Sequence, residues 1–275
     1  MGKRIRKGII YFLLISASIV VLFPLLWMVL ISIRNNNEVF TIQTRVIPRV
    51  PNVDAFRAII RNPEMVRLFI NSYIVAIAVT VISLFLASIS GYGLSRFKFA
   101  GKKFVILYLL LTQMFPMVLL SVPYFMTISK LGLYNTHSAL TMAYISFALP
   151  FSTLMMRDFI STIPVEIDEA AIVDGCGRLK VFWQIVLPPS LPGLIATGVY
   201  TFILAWNEFL FATVLTQDIT ARTLPVGIGM LIGQYTTQYN QMMALSVLAS
   251  IPLVICFLFV QKYLIQGLTA GSVKI

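Results

Sequence analysis

The sequence predicts an all-α membrane protein. It has six transmembrane helices, N- and C-termini in the cytoplasm, and a cytoplasmic helix–turn–helix between spans 4 and 5. Three observations carry this. Of 275 residues, 59% are hydrophobic and only 11% are charged, where soluble domains hold about 45–50% apolar and about 25% charged residues. Mean hydropathy is +0.90. The apolar residues gather into six runs, each long enough at 1.5 Å per residue to cross a hydrocarbon core of about 30 Å. The cations then sort by side: on a six-span topology 13 of the 21 Lys and Arg fall inside, as the positive-inside bias requires. The net charge of +11 is therefore a topology mark and implies no nucleic-acid partner. The whole chain, 1–275, reads as one membrane domain, with the hairpin of 163–192 inside it.

Lys3, Arg4, Arg6 and Lys7 precede the first span, about Ile9–Ile33. At roughly 25 residues that run exceeds the 7–15 of a signal-peptide core. A polar stretch, Arg34–Leu68, follows outside; it holds six arginines against the usual bias and is broken at Pro48, Pro51 and Asn62-Pro63. The second span is about Phe69–Ser95. Arg96, Lys98, Lys102 and Lys103 then place a short loop inside. The third span, about Phe104–Ile128, contains Pro116 and Pro123. The fourth, about Ser138–Ile160, contains Pro150. Each proline is either a kink tolerated by packed neighbours or a break near a solute path. The fifth span is about Pro192–Leu215 and the sixth about Gln241–Ile265, leaving a short tail inside.

The polar insertion of 163–192 is the one stretch that reads as two short helices. Pro164 suits a first turn, and Glu166 and Asp168 complement the positive end of a helix dipole. Gly175 is placed to end that helix. Val181, Phe182 and Ile185 share a face of the second, and Leu187-Pro188-Pro189 stops it. Residues 164–189 carry a net charge of −2, which is the wrong sign for a topology signal inside. A solvated connector and a docking element for a soluble partner both fit these facts.

Few residues offer chemistry. Glu208 is the one carboxylate well within an apolar run, and an intramembrane charge is a functional candidate by default. It follows Pro192 by roughly 24 Å of helix, which places it near the outer interface. A solute-path role and a capped interfacial carboxylate both remain open, for Glu208 and for Asn207. Gln113 either faces a pore or bonds a neighbouring helix. His137 is most simply on the surface. Gly229 and Gly233 form a GxxxG outside a full span, which is weak evidence for helix pairing. Cys176 and Cys256 lie at different depths and predict no disulfide. A metal site and bound cofactors find no support in the single His and the absence of Cys pairs, and no phosphate-binding loop is present.

Glu169-Ala170-Ala171, three residues, Gly175, nine residues, and Ile185-Val-Leu187-Pro188 match without a gap the EAA loop of ABC-importer permeases. Gly91-Tyr-Gly-Leu-Ser-Arg96-Phe, Trp206-Asn-Glu-Phe209, Thr223-Leu-Pro-Val-Gly227 and Gln266-Gly-Leu-Thr-Ala-Gly271-Ser-Val-Lys274 match its carbohydrate-uptake branch. The chain thus resembles the smaller permease of maltose-type sugar transporters over nearly its whole length. The resemblance implies half of an alternating-access pathway in a prokaryotic cytoplasmic membrane. Its partners would be a second permease of similar fold, two cytoplasmic ATPases and an extracytoplasmic solute-binding protein. ATP and Mg would sit on the ATPases, and no bond-making would fall to this chain. It further implies that Glu169 is the charged ATPase contact, Ala170 and Ala171 the close-packing surface, Asp174 a second polar contact and Gly175 the turn. The loop Thr216–Asn240, with Pro225, Gly227, Gly229 and Gly233, would meet the binding protein. The same scaffold with another cargo, such as a glycerol phosphate or a polyamine, is the alternative; an intramembrane enzyme would need a paired catalytic set that Glu208 alone does not provide.

Overall fold

A computed structural model describes residues 2–35, 38, 47, 48, 50–232 and 238–270, with side chains between residues 6 and 261. The described residues are helical throughout, joined by short turns. They divide into two compact units, Met1–Val66 with Gly227–Ile251, and Arg67–Val226 with Pro252–Ile275.

In the first unit, α1 (Gly2–Ser32) is apolar on every side, and Phe12, Val20 and Val21 are among its many exposed apolar residues. Such a helix suits lipid or a protein neighbour rather than water. Asn52 returns the chain to its end, donating its amide to the Ile33 carbonyl at 2.8 Å. The Asn52 side chain also receives the Asp54 amide at 2.7 Å and so caps α2 (Asp54–Arg61). This helix buries Ala55 and Ile59 within the polar stretch expected outside the membrane. The last long helix, α12 (Tyr239–Ala270), begins in this unit, where Asn240 donates to the Arg34 carbonyl at 3.3 Å.

The second unit is built on α3 (Pro63–Arg96). It starts six residues before the expected Phe69, because Pro63 occupies a first-turn position where its missing N–H costs nothing and the Asn62 side chain accepts from Glu64 N at 2.9 Å. Small and branched residues at three- and four-residue intervals, from Val75 and Ala76 through Val79, Ser83, Ala87 and Gly91, form its buried face. α6 (His137–Ser161) packs on it so closely that a Cβ on Gly91 would stand 2.8 Å from Arg157 N and 2.9 Å from Met156 Cβ. α6 runs unbroken through Pro150. α9 (Leu191–Asn207) offers a similar stripe of Gly193, Thr197 and Thr201, and the Thr201 and Ser152 hydroxyls share a buried hydrogen bond of 2.9 Å. Small residues let helix backbones approach where apolar surroundings give no hydrophobic drive.

Two expected spans are broken. The third is two helices, α4 (Lys102–Met114) and α5 (Met117–Lys130), bent by 96°. Phe115 is extended at φ −76°, ψ 129°, as a residue before proline is driven to be, and Pro116 lacks the N–H that would continue α4. Pro123, by contrast, stays within α5. The fifth span ends at Asn207 instead of Leu215: Glu208 is extended, and α10 (Leu210–Leu215) starts afresh. Four helical stretches are long and apolar enough to cross a membrane alone, Arg6–Ser32, Pro63–Arg96, His137–Ser161 and Tyr239–Gln261, and up to six if each bent pair counts as one. The chain is a multi-pass membrane protein.

Candidate functional site: a hairpin anchored on α3

Between α6 and α9 the chain forms α7 (Val165–Val173) and α8 (Arg178–Val186), within the second unit. Gly175 ends α7 as expected. At φ +84° it takes the left-handed conformation that glycine adopts without strain. Its amide donates to the Ile172 carbonyl at 3.0 Å, and the Cys176 amide to the Ala171 carbonyl at 3.0 Å. This pair of bonds is the Schellman termination. The second helix opens with an α-turn and continues as a π-turn over Val181–Val186, closed by Leu187 N donating to the Phe182 carbonyl at 2.9 Å. Pro188 and Pro189 have no N–H to carry the ladder further.

α7 has two faces. Glu166, Glu169, Ala170, Val173 and Asp174 are exposed, at the i, i+3, i+4, i+7 and i+8 spacing of one helix side. Asp168 and Ala171 point inward. The Glu169-Ala170-Ala171 triad is therefore split. Ala171 does not join the exposed surface; it packs in a core with Ala87, Met156, Ile160, Val181 and Val186, flanked by Tyr92, Cys176 and Ile185. Val181 and Phe182 are buried as their spacing predicts. Leu187 is half-buried and Pro188 exposed. The outward face is more apolar than its three carboxylates suggest: Val173 is 87% and Leu179 77% exposed.

What fixes the hairpin is Asp168, which the sequence offers only as a complement to the helix dipole. Arg96, the last residue of α3, donates from Nε to Asp168 Oδ2 at 3.0 Å and from Nη2 to Asp168 Oδ1 at 3.1 Å. Its Nη2 also reaches the Ile163 carbonyl at 3.0 Å, and Tyr92 donates to Asp168 at 3.5 Å. Only 6% and 7% of the two charged side chains remain exposed. The cation stands at a helix C-terminus and the anion in a helix first turn, each favoured there by the backbone dipoles. The second helix is held by rings: Phe182 lies 5.1 Å from Tyr92, and the Arg178 guanidinium sits 5.0 Å from the Phe97 ring centre. No signal short of knowing the tertiary contact would have singled out Asp168.

The other candidates are scattered. Glu208 caps α10, accepting from Phe211 N at 2.8 Å and Ala212 N at 3.0 Å. Asn207 is exposed and bonds its own helix at the Ile203 carbonyl, 2.9 Å away. Gln113 likewise donates to Leu109 O at 3.4 Å and lines a cavity of about 140 Å³ with Phe115, Phe147, Phe151 and Tyr200 at the α4–α5 bend. A second cavity of about 670 Å³, walled by Leu94, Val105, Leu109, Leu149 and Pro150, shares Thr112, Ser146 and Pro150 with it. His137 is not a plain surface residue. It bonds Asn71 at 2.9 Å, and the fully buried Asn71 side chain donates to the Ile219 and Arg222 carbonyls at 2.9 and 2.8 Å, pinning that loop. There the Asp218 carboxyl is held below its ordinary range, first by the Thr220 hydroxyl. Pro225, Gly227 and Gly229 lie in a short helix, α11 (Leu224–Met230); Gly233 is outside the described residues. Both cysteines are free. Among the described residues no three His, Cys, Asp or Glu side chains come together as metal ligands would.

Residues 81–270 match the family of binding-protein-dependent transport system inner membrane components. The chain belongs to this family. The permease is 34% identical to the trehalose/maltose transport system permease protein MalG of Thermococcus litoralis, across 100% of its own length and 99% of that protein's. It is also 34% identical to the inner membrane ABC transporter permease protein YcjP of Escherichia coli, over 93% and 92% of the two chains. Among solved structures, a bacterial ABC transporter involved in import of the acidic polysaccharide alginate has a chain of the same fold. That chain is 21% identical, with a TM-score of 0.81 over 96% of the permease and 98% of its own length. The permease is a transport subunit and not an enzyme; in such transporters ATP hydrolysis lies in separate subunits.

Proposed function

We propose that this permease forms half of the translocation path of an ATP-driven importer of a sugar or oligosaccharide, of the maltose or trehalose kind. In this reading the chain crosses a prokaryotic cytoplasmic membrane six times with both termini inside, α4–α5 serving as one bent span. A second permease of similar fold completes the path. An extracytoplasmic binding protein delivers solute to the Thr216–Asn240 side, and two cytoplasmic ATPases, carrying ATP and Mg, engage the hairpins. The observation that carries the reading is the exposed face of the hairpin. A soluble connector has no need of Val173 and Leu179 held out beside Glu166, Glu169 and Asp174, whereas a docking helix does: apolar surface for contact, carboxylates for register. Full-length similarity to the trehalose/maltose permease supplies the cargo class.

The test is uptake of labelled maltose or trehalose, with ATP hydrolysis, in vesicles holding the permease and its partners. Native complex is expected to respond to sugar-loaded binding protein. Glu169→Lys reverses the outward charge and is expected to cost about 2–5 kcal/mol of docking energy, as for a paired interfacial charge. Gly175→Pro cannot adopt φ +84° and removes the amide bonded to Ile172, so both uptake and stimulated hydrolysis should be lost. Unchanged rates in both variants would reduce the hairpin to a connector.

A further inference from the structure

The buried Arg96–Asp168 pair has no part in the docking surface, yet it is the most directional contact between the hairpin and the membrane helices. We propose that this pair is the tie through which displacement of the hairpin is passed to α3, making Arg96 and Asp168 positioning residues for coupling. The inference rests on the hairpin being the ATPase-docking element. Three features of the geometry support it. Arg96 grips both carboxylate oxygens and the Ile163 carbonyl at 3.0 to 3.1 Å, so one side chain holds the first turn of α7 and the turn leading into it. A two-point guanidinium–carboxylate contact fixes direction as well as distance. The remaining contacts are apolar packing of Ala171, Val181 and Val186 in one cluster with Ala87, Met156 and Ile160, the Phe182–Tyr92 ring contact, the Arg178–Phe97 contact and a single 3.5 Å bond from Tyr92 to Asp168, none of which is a two-point charged contact. Finally, α3 is 34 residues long and lines the 670 Å³ cavity with Ser90, Gly93 and Leu94. A pull at its terminal Arg96 thus acts on a helix that also lines this open cavity of the second unit.

Removing one charge alone would leave the other buried and unpaired, confounding coupling with folding. The double variant Arg96→Met with Asp168→Leu avoids this, since replacing a buried pair by apolar residues of similar size is often neutral for stability. In reconstituted complex, solute moved per ATP hydrolysed is expected to fall about tenfold, the size of a typical coupling between sites, while copurification with the ATPases persists. A purely structural role would reduce the yield of complex and leave that ratio unchanged. As a second arm, Arg96→Cys with Asp168→Cys in a Cys176→Ala, Cys256→Ala background should show a low ratio until a short thiol-specific crosslinker joins the two positions, and then recover. An unchanged ratio in the double variant, or no recovery on joining the cysteines, overturns the tie while leaving the importer reading standing. Absence of sugar-stimulated uptake in the native complex instead removes the importer reading itself.

Discussion

Asp168→Ala is expected to lower the stability of the folded chain by about 3–5 kcal/mol, the penalty of stranding one partner of a buried ion pair. Arg96, with its side chain 6% exposed, would keep the Ile163 carbonyl, at 3.0 Å, as its acceptor. A guanidinium cannot escape by losing its proton, so the charge stays and the hairpin must move to let water in. Thermal unfolding of purified protein in detergent reads the effect directly. Glu166→Ala provides the control: it sits two residues earlier on the same helix, on the exposed side, where a substitution away from specific contacts changes stability by about 0.5 kcal/mol or less. Equal melting temperatures for the two variants would mean that the ion pair contributes no more than an ordinary surface carboxylate.

Gly91→Val is the second change with a large expected effect. Its Cβ would stand 2.8 Å from Arg157 N and 2.9 Å from Met156 Cβ. The first of these is backbone and cannot rotate aside, so α3 and α6 must separate. Overpacking of this kind costs about 1–3 kcal/mol or more, and here it also loosens the crossing beneath the hairpin. Gly93→Val, two residues on, meets nothing within 4 Å and carries the same β-branched helix penalty. The difference in unfolding temperature between the two variants therefore isolates the helix contact. A Gly93→Val protein as unstable as Gly91→Val would show that the loss comes from the helix itself and not from the crossing.

The sequence made the helices legible because their signals are local. Long apolar runs mark α1, α3, α6 and α12, Gly175 marks the end of α7, and Pro188-Pro189 the end of α8. The breaks were harder. Pro116, Pro123 and Pro150 look alike in sequence, yet only Pro116 separates two helices, while Pro123 and Pro150 stay within theirs. Glu208 reads as a buried charge until its partners, the Phe211 and Ala212 amides, are seen. Both partners lie within four residues, but they become available only because the helix stops at Asn207. The hairpin was legible by motif, while its division was not. An alanine carries no mark of which way it faces, so Ala170 and Ala171 could not be told apart, and Asp168 depended on Arg96, 72 residues away.

The apolar outward face of the hairpin bears on how cells keep subunit numbers in step. On the docking reading, a copy synthesised without its ATPases displays Val173 and Leu179 to the cytosol beside a well-ordered helix end. Exposed greasy surface on an otherwise folded protein is what promotes aggregation and draws chaperones and proteases. Orphan copies would then be cleared and assembled ones shielded, so the scarcest partner would set the abundance of the whole transporter without any dedicated regulator.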